Sequence, residues 1–340
     1  MVLGFWDLDV PIVGAPMAGG PGTPALAAAV SNAGGIGFLA SGYVSPERFA
    51  DDIAAARAAT TGPLGVNLFV PQPSVADVYA LEHYAEALDE IAEHYDVEIG
   101  HPRFGDDDGW QRKLEVVADL RPEMVSFTFG APPPDVMRWF GALGILLFNT
   151  VTSTYEAGVA LAAGADGLVV QGPDAGGHRG TFAPDMDPGK ETLHELLARI
   201  RSAHNVPLIA AGGLGTTEDV AAVMNRGAVA AQIGTALLLS DEAGTNAAHR
   251  SALQHPEFIK TIVTRAFSGR YARGLENDFT RLLDDVAPLG YPEVNQMTSP
   301  IRKASVALED PHGTNLWAGT AYRAARTGPA KDIIKTLGDV

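Results

Sequence analysis

The chain has 340 residues, with 24 lysines and arginines against 41 aspartates and glutamates, a formal net charge of −17. With no cysteine, it builds no disulfide, thiolate nucleophile, iron–sulfur cluster or cysteine zinc site, and so acidic a chain repels nucleic acid and anionic membranes. Hydrophobic residues make up 46%, as in a folded enzyme, while the 38 glycines are about 11% of the chain against a usual ~7%, so where they sit matters.

The start, MVLGFWDLDV, has no basic n-region and no long apolar core, so no signal peptide is expected. The longest aliphatic stretch, 143–148, is too short to cross a bilayer. A soluble, cytoplasmic protein is expected, with monomer and homodimer both left open. In chain order, continuous apolar runs fall at 10–15, 35–40, 64–70, 124–129, 144–151, 167–171, 207–211 and 229–233. Such runs, without strict alternation, read as parallel strands buried on both faces. Helical patterns lie between them. The stretch 24–32 ends at Gly34 and Gly35, 153–163 ends at Gly164, and 217–225 follows Thr216, a candidate N-cap. Acidic stretches at 82–96 and 106–108 read as a solvated helix face and an acidic loop.

Eight strands with intervening helices predict a TIM (β/α)8 barrel; a doubly wound sheet is the runner-up. The spacing adds detail. Most strands follow one another at roughly 20–30 residues, enough for one βα unit. The gap from the third strand to the fourth is about twice that, and a long tail follows the eighth. The excess predicts a smaller, mainly helical cap domain from 72–115 and 240–312, set on a barrel of 1–71, 116–239 and 313–340. Helices are expected at 76–94 and around 246–253 and 277–285. Both insertions leave carboxyl ends of strands, the face where barrel active sites form.

Glycine clusters stand at strand ends: QGPDAGGHRG from Gln171, AAGGLG with Gly212, Gly213 and Gly215, and QIGTA with Gly234 and Thr235. Loops after the seventh and eighth barrel strands commonly bind phosphate through bare amides and a helix start, with Thr235 as a hydroxyl donor. GIGFLA at Gly35 matches a dinucleotide fingerprint in letters only, because a helix precedes it and the motif is itself the strand. No P-loop and no HExxH or HxxxH spacing occurs, so neither nucleoside triphosphate chemistry nor a metal site is expected.

Amides interrupt the apolar strands at Asn67, Gln171 and Gln232, and Ser126 and Thr128 lie in the fourth. A buried amide is costly unless bonded; a ring with several donors and acceptors would satisfy these. His178 is flanked by Gly176, Gly177 and Gly180 just past a buried strand. It is the candidate catalytic group, since imidazole exchanges protons near neutral pH.

PIVGAPMAGG at 11–20, GVNLF at 65–69, VSFTFG at 125–130, QGPDAGGHRGTF at 171–182, AGG at 211–213, QIGT at 232–235 and LWAG at 316–319 together resemble the nitronate monooxygenases, formerly called 2-nitropropane dioxygenases. The resemblance runs almost the whole chain in order. It implies FMN bound without a covalent link at the carboxyl face of the barrel. Carried over by motif, Asn67, Gln171, Gly176, Gly177, Gly212, Gly213, Gln232, Ile233, Gly234 and Thr235 would contact FMN. Met17 would lie beside the flavin and His178 would face the substrate. The chain departs from the family pattern at Asp174, usually glutamate, and at Thr320, usually glutamine; neither is expected to touch the FMN set. The implied reaction oxidises alkyl nitronates, such as propionate 3-nitronate, with O2 to a carbonyl compound and nitrite. The rival is an NAD(P)H-dependent flavin enoyl-thioester or quinone reductase on the same barrel; a barrel that binds a phosphorylated metabolite or flavin without turnover is a third reading. An anionic substrate on a −17 protein needs local cations. Arg179, Lys303 and His178, if protonated, are the candidates. Tyr291 and Tyr322 are candidates to line the pocket, with ordinary packing the commoner reading of each.

Overall fold

A computed structural model describes residues 8–340; the expected barrel start at 1–7 lies outside them. Eleven strands occur in chain order among the described residues: β1 (Ile12–Gly14), β2 (Gly37–Ala40), β3 (Leu64–Phe69), β4 (Met124–Thr128), β5 (Leu146–Val151), β6 (Gly167–Gln171), β7 (Gly177–His178), β8 (Leu208–Ala211), β9 (Ala230–Ile233), β10 (Thr261–Thr264) and β11 (Ala272–Leu275). Eight form one parallel sheet in the order β1-β9-β8-β6-β5-β4-β3-β2. A parallel bridge from Val13 to Ile36 brings β1 against the segment entering β2, so the sheet nearly closes on itself. This is the expected TIM barrel, and all eight predicted strands are present.

Local chemistry sets the helix ends. Thr23 accepts Leu26 N at 3.0 Å, and Pro24 opens the helix Pro24–Asn32, where a missing N–H costs nothing. Thr216 caps Thr217–Met224 in a reciprocal box with Asp219. Apolar residues alternate between two layers. One packs strands against the outer helices, as at Val66, Leu68, Val125 and Leu208. The other fills the barrel interior with Phe38, Met124, Phe148, Val169 and Ile209. Several glycines serve this packing. A methyl group at Gly65 would stand 2.3 Å from the Phe38 ring, and one at Gly37 1.8 Å from Ala27 O.

The two insertions pack against each other. Leu81, Tyr84 and Leu88 of the helix Val78–His94 share one apolar cluster with Phe267, Phe279, Val294, Met297 and Ile301. The helix Trp110–Leu120 crosses the expected boundary at 115; Trp110 and Leu114 pack with the barrel layer. The second insertion is less helical than expected. β10 and β11 form an antiparallel pair, and β11 captures β7, pairing Ala272 with His178 and Arg273 with Gly177. Among the described residues, no helix is long and apolar enough to cross a membrane.

Candidate active site

A cavity of about 660 Å³ opens at the carboxyl ends of the barrel strands. Met17, Asn67, Gln171, Gly176, Gly177 and His178 line it on one part of its wall, and Gly212, Gly213, Gln232, Gly234 and Thr235 on another. Ile233 is the exception: it is fully buried in the layer between strands and helices. Side chains alternate along β9, so Gln232 and Ile233 face opposite sides of it. Its carbonyl accepts the N–H of the cavity-lining Ala15 at 2.8 Å.

An anionic cofactor with a planar ring needs free donors at one end and mixed partners at the other. The N–H groups of Gly213, Leu214, Gly234 and Thr235 have no hydrogen-bond partner among the described residues. The Thr235 hydroxyl oxygen accepts Gly319 N at 2.9 Å, which leaves its proton free. Such bare amides, on the loops after the neighbouring strands β8 and β9, suit a phosphate. Asn67 Nδ2 donates to Ser126 Oγ and Thr128 Oγ1, both at 2.9 Å, which fixes the amide and leaves Oδ1 as an acceptor. FMN, as the sequence resemblance implies it, fits this donor and acceptor set.

Gly212 and Gly213 have φ of +104° and +74°, which turns their peptide groups as only glycine does easily. Their missing side chains also make room for the neighbouring loop. A methyl at Gly213 would meet Asp174 Cβ at 2.9 Å and Thr320 Oγ1 at 3.6 Å. The two departures from the family pattern thus flank Gly213 and each other, since Thr320 N donates to Asp174 O at 3.1 Å; the expectation that both stand clear of this set does not hold. Gly176 is tighter, with a methyl only 2.5 Å from Gly319 N and 2.6 Å from Ala318 C. Backbone atoms cannot yield as a side-chain tip does. Gly176→Ala is therefore expected to purify without bound flavin while keeping the wild-type far-UV circular dichroism; a full flavin complement would contradict this.

Gln171 is spent largely on the histidine loop. Its Oε1 accepts Gly180 N at 2.8 Å and its Nε2 donates to His178 O at 3.1 Å. With the β7–β11 pairing, this fixes the His178 backbone from both sides. The imidazole sits among aromatic rings, 5.5 Å from both Tyr291 and Trp317 and edge-on to Phe129 at 6.0 Å. Phe129 itself is strained, with φ +74°, and Arg270 lies over its ring at 4.0 Å. Burial first, then Arg270 and Arg302, push the His178 imidazole down to about 3. It is neutral at neutral pH, so it is not the cation that offsets a bound anion.

The cations lie elsewhere. Arg179 is buried, and its Nη1 donates to Gln171 O at 2.7 Å and to Gly172 O, so it ties the loop to the barrel. Lys303 does line the cavity, and so does Arg302 beside it, which sequence reasoning missed. Arg302 is held by neutral groups: Nε donates to Thr298 Oγ1 at 3.1 Å, Nη1 to Asn315 Oδ1 at 3.0 Å and Nη2 to Asn295 Oδ1 at 2.9 Å. Burial lowers its guanidinium only to about 10, so it stays charged. Among the described residues no aspartate or glutamate lines this cavity, although the chain carries 41 of them. The signal for Arg302 was legible: Asn295, Ser299, Arg302 and Val306 recur at helical spacing on one face of Glu293–Ala307.

A second cavity of about 590 Å³ adjoins the first. Tyr43, Phe69, Phe129, Asn295, Ser299 and Lys303 line both. The Tyr43 and Tyr291 hydroxyls meet at 3.0 Å between them, so Tyr291 is a wall residue, whereas Tyr322 packs, bonded to Phe258 O. The acidic stretch 106–108 is not merely solvated: Asp108 pairs with buried Lys113 at 2.7 Å and accepts Tyr43 N at 3.2 Å.

His249 also lines the main cavity, with Nε2 buried and unbonded among the described residues. Desolvation pushes its imidazole from 6.5 down to about 4. The unfolded chain then binds protons that the folded chain refuses between roughly pH 6.5 and 4, so stability is full above that window and falls as pH drops through it. The melting temperature is expected to fall between pH 7.5 and 5, and to fall less in His249→Phe. Equal slopes for the two proteins would show that His249 contributes nothing.

The nitronate monooxygenase family model matches residues 5–339. The nitronate monooxygenase of Pseudomonas aeruginosa is 37% identical over 339 residues, covering 97% of this chain and 95% of that one. A probable nitronate monooxygenase of Staphylococcus saprophyticus is 34% identical, with 99% and 96% covered. Among solved structures, the nitroalkane oxidase from Streptomyces ansochromogenes superposes with a TM-score of 0.93 at 43% identity, covering 97% of this chain and 95% of that one.

Proposed function

The chain belongs to the nitronate monooxygenase family and is an oxidoreductase, and from that premise we propose that it oxidises alkyl nitronates with FMN and O2 to a carbonyl compound and nitrite. The observation that carries the reading is the cavity's electrostatics. Unbonded amides at 213–214 and 234–235 line one part of it, Arg302 and Lys303 stand in the wall, and no carboxylate among the described residues lines it. That environment selects anions in a strongly acidic protein.

In this reading the Gly213, Leu214, Gly234 and Thr235 amides and the Thr235 hydroxyl hold the FMN phosphate. Asn67, Gln171 and Gln232 meet the ring edge, and Met17 lies beside the ring. Bound FMN would supply the redox chemistry, as cofactors do. The chain supplies position and charge. Neutral His178 faces the substrate, Arg302 and Lys303 offset its negative charge, and the insertions 72–109 and 240–312 close over it and exclude water.

One spectrum tests the proposal. The purified protein is expected to show flavin absorption, which bleaches when propionate 3-nitronate is added without oxygen and does not bleach with NADH. Bleaching by NADH alone would favour the reductase reading, and a colourless protein would remove both.

A further inference from the structure

We propose that Ser268 is a positioning residue that holds His178 in the tautomer with its proton on Nε2, leaving the Nδ1 lone pair as the proton acceptor of the cavity. The inference rests on the proposed role of His178 and assigns that role to one atom. His178 Nε2 and Ser268 Oγ meet at 2.8 Å, and the distance alone does not say which of them donates. The serine's second contact decides it. Ser268 is buried, and its single hydroxyl proton goes to Arg270 O at 3.2 Å. No other donor among the described residues reaches that carbonyl, and a buried carbonyl left alone is costly. With its proton committed, Ser268 has only a lone pair to offer, so the imidazole donates through Nε2–H.

Both ends of the relay are fixed. Arg270 is fully buried; its Nη1 donates to Gln72 Oε1 at 2.8 Å and its Nη2 to Thr181 O. The His178 backbone is held by Gln171 and by β11. Nδ1 has no protein partner among the described residues and is not among the sealed polar atoms, so it opens on the space that His178 lines. Burial and the positive neighbours Arg270 and Arg302 keep the resting imidazole neutral, and the negative charge of the nitronate formed beside it offsets the imidazolium that proton acceptance creates.

The consequence separates two substrates. A neutral nitroalkane must first lose its α-proton. The C–H bond breaks, an N–H bond forms at Nδ1, and the C–H electron pair passes to the nitro oxygens to give the nitronate anion. No oxidant enters this step. A preformed nitronate does not need it. Ser268 therefore matters for nitroalkanes and little for nitronates.

The test is nitrogen NMR on the flavin-loaded protein labelled with 15N-histidine, with the His178 signals assigned by their loss in His178→Asn. The wild type is expected to show a protonated Nε2 and a bare Nδ1, and Ser268→Ala a mixture of tautomers, with Ser268→Thr returning to the wild-type pattern. In kinetics, the ratio of kcat/KM for nitroethane to that for ethylnitronate is expected to fall about tenfold in Ser268→Ala, a fraction of the 10²–10⁴ that a general base supplies. A wild-type proton on Nδ1, or a Ser268→Ala spectrum identical to the wild type, overturns the tautomer assignment. An unchanged kinetic ratio overturns the proton-acceptor role. Neither result bears on flavin content or nitronate bleaching, so a failure of the proposed function itself would be read separately.

Discussion

His178→Asn is expected to retain its flavin and to lose nitroalkane turnover by about 10²–10⁴-fold, the usual contribution of a positioned proton-transfer group. Flavin retention follows from geometry. The free amides at 213–214 and 234–235 and the Asn67 carbonyl do not depend on the imidazole, and Gln171 bonds only the backbone carbonyl of residue 178. The pH profile carries a second expectation. Burial and the two arginines hold the imidazole at about 3, so wild-type kcat/KM shows no His178 limb between pH 5 and 8. A limb near the ordinary histidine value of 6.5 that vanishes in His178→Asn would mean that the cation is the working form. Unchanged nitroalkane and nitronate kinetics in the variant would remove the residue from the reaction.

Arg302→Gln is expected to lower kcat/KM for ethylnitronate by about 10²-fold, mostly through KM, because a charge-assisted contact contributes ~1.5–3 kcal/mol. An interaction made equally with the bound ground state and the transition state appears in KM and not in kcat. Nitroethane, which carries no charge, is expected to lose far less. Arg302→Lys keeps the charge and loses the fork that grips Asn295 and Asn315, so an intermediate value is expected. Equal losses for the neutral and the anionic substrate would show that Arg302 only braces the helix Glu293–Ala307. Removing one of the two cations that depress it also raises the His178 value, so the acidic limb of Arg302→Gln moves up in pH.

The barrel strands and the glycine clusters were legible because buried parallel strands leave continuous apolar runs and because capping chemistry is local. Thr216 caps its helix as expected, and Asp219, three residues on, completes the box. The histidine loop was equally plain. What escaped was contact between segments distant in the chain. β11 (ARGL) carries no strand pattern of its own, yet it pairs with the β-branched β10 on one side and with Gly177 and His178 on the other. Ser268, 90 residues from its partner, has no motif around it.

The sequence by itself determined the fold class, the family and the loops that present bare amides, because periodicity, capping and motif spacing are properties of neighbouring residues. The opening figures took their meaning from tertiary structure. Part of the glycine surplus makes room for Phe38, Ala27 and the 174–175 loop and not for a ligand alone. The charge of −17 is a property of the whole chain, whereas the cavity is lined by Arg302 and Lys303 with no acid among the described residues. Which charges face which space, and which nitrogen of His178 holds its proton, depend on partners that only packing brings within 3–4 Å, the range over which hydrogen bonds and ion pairs act.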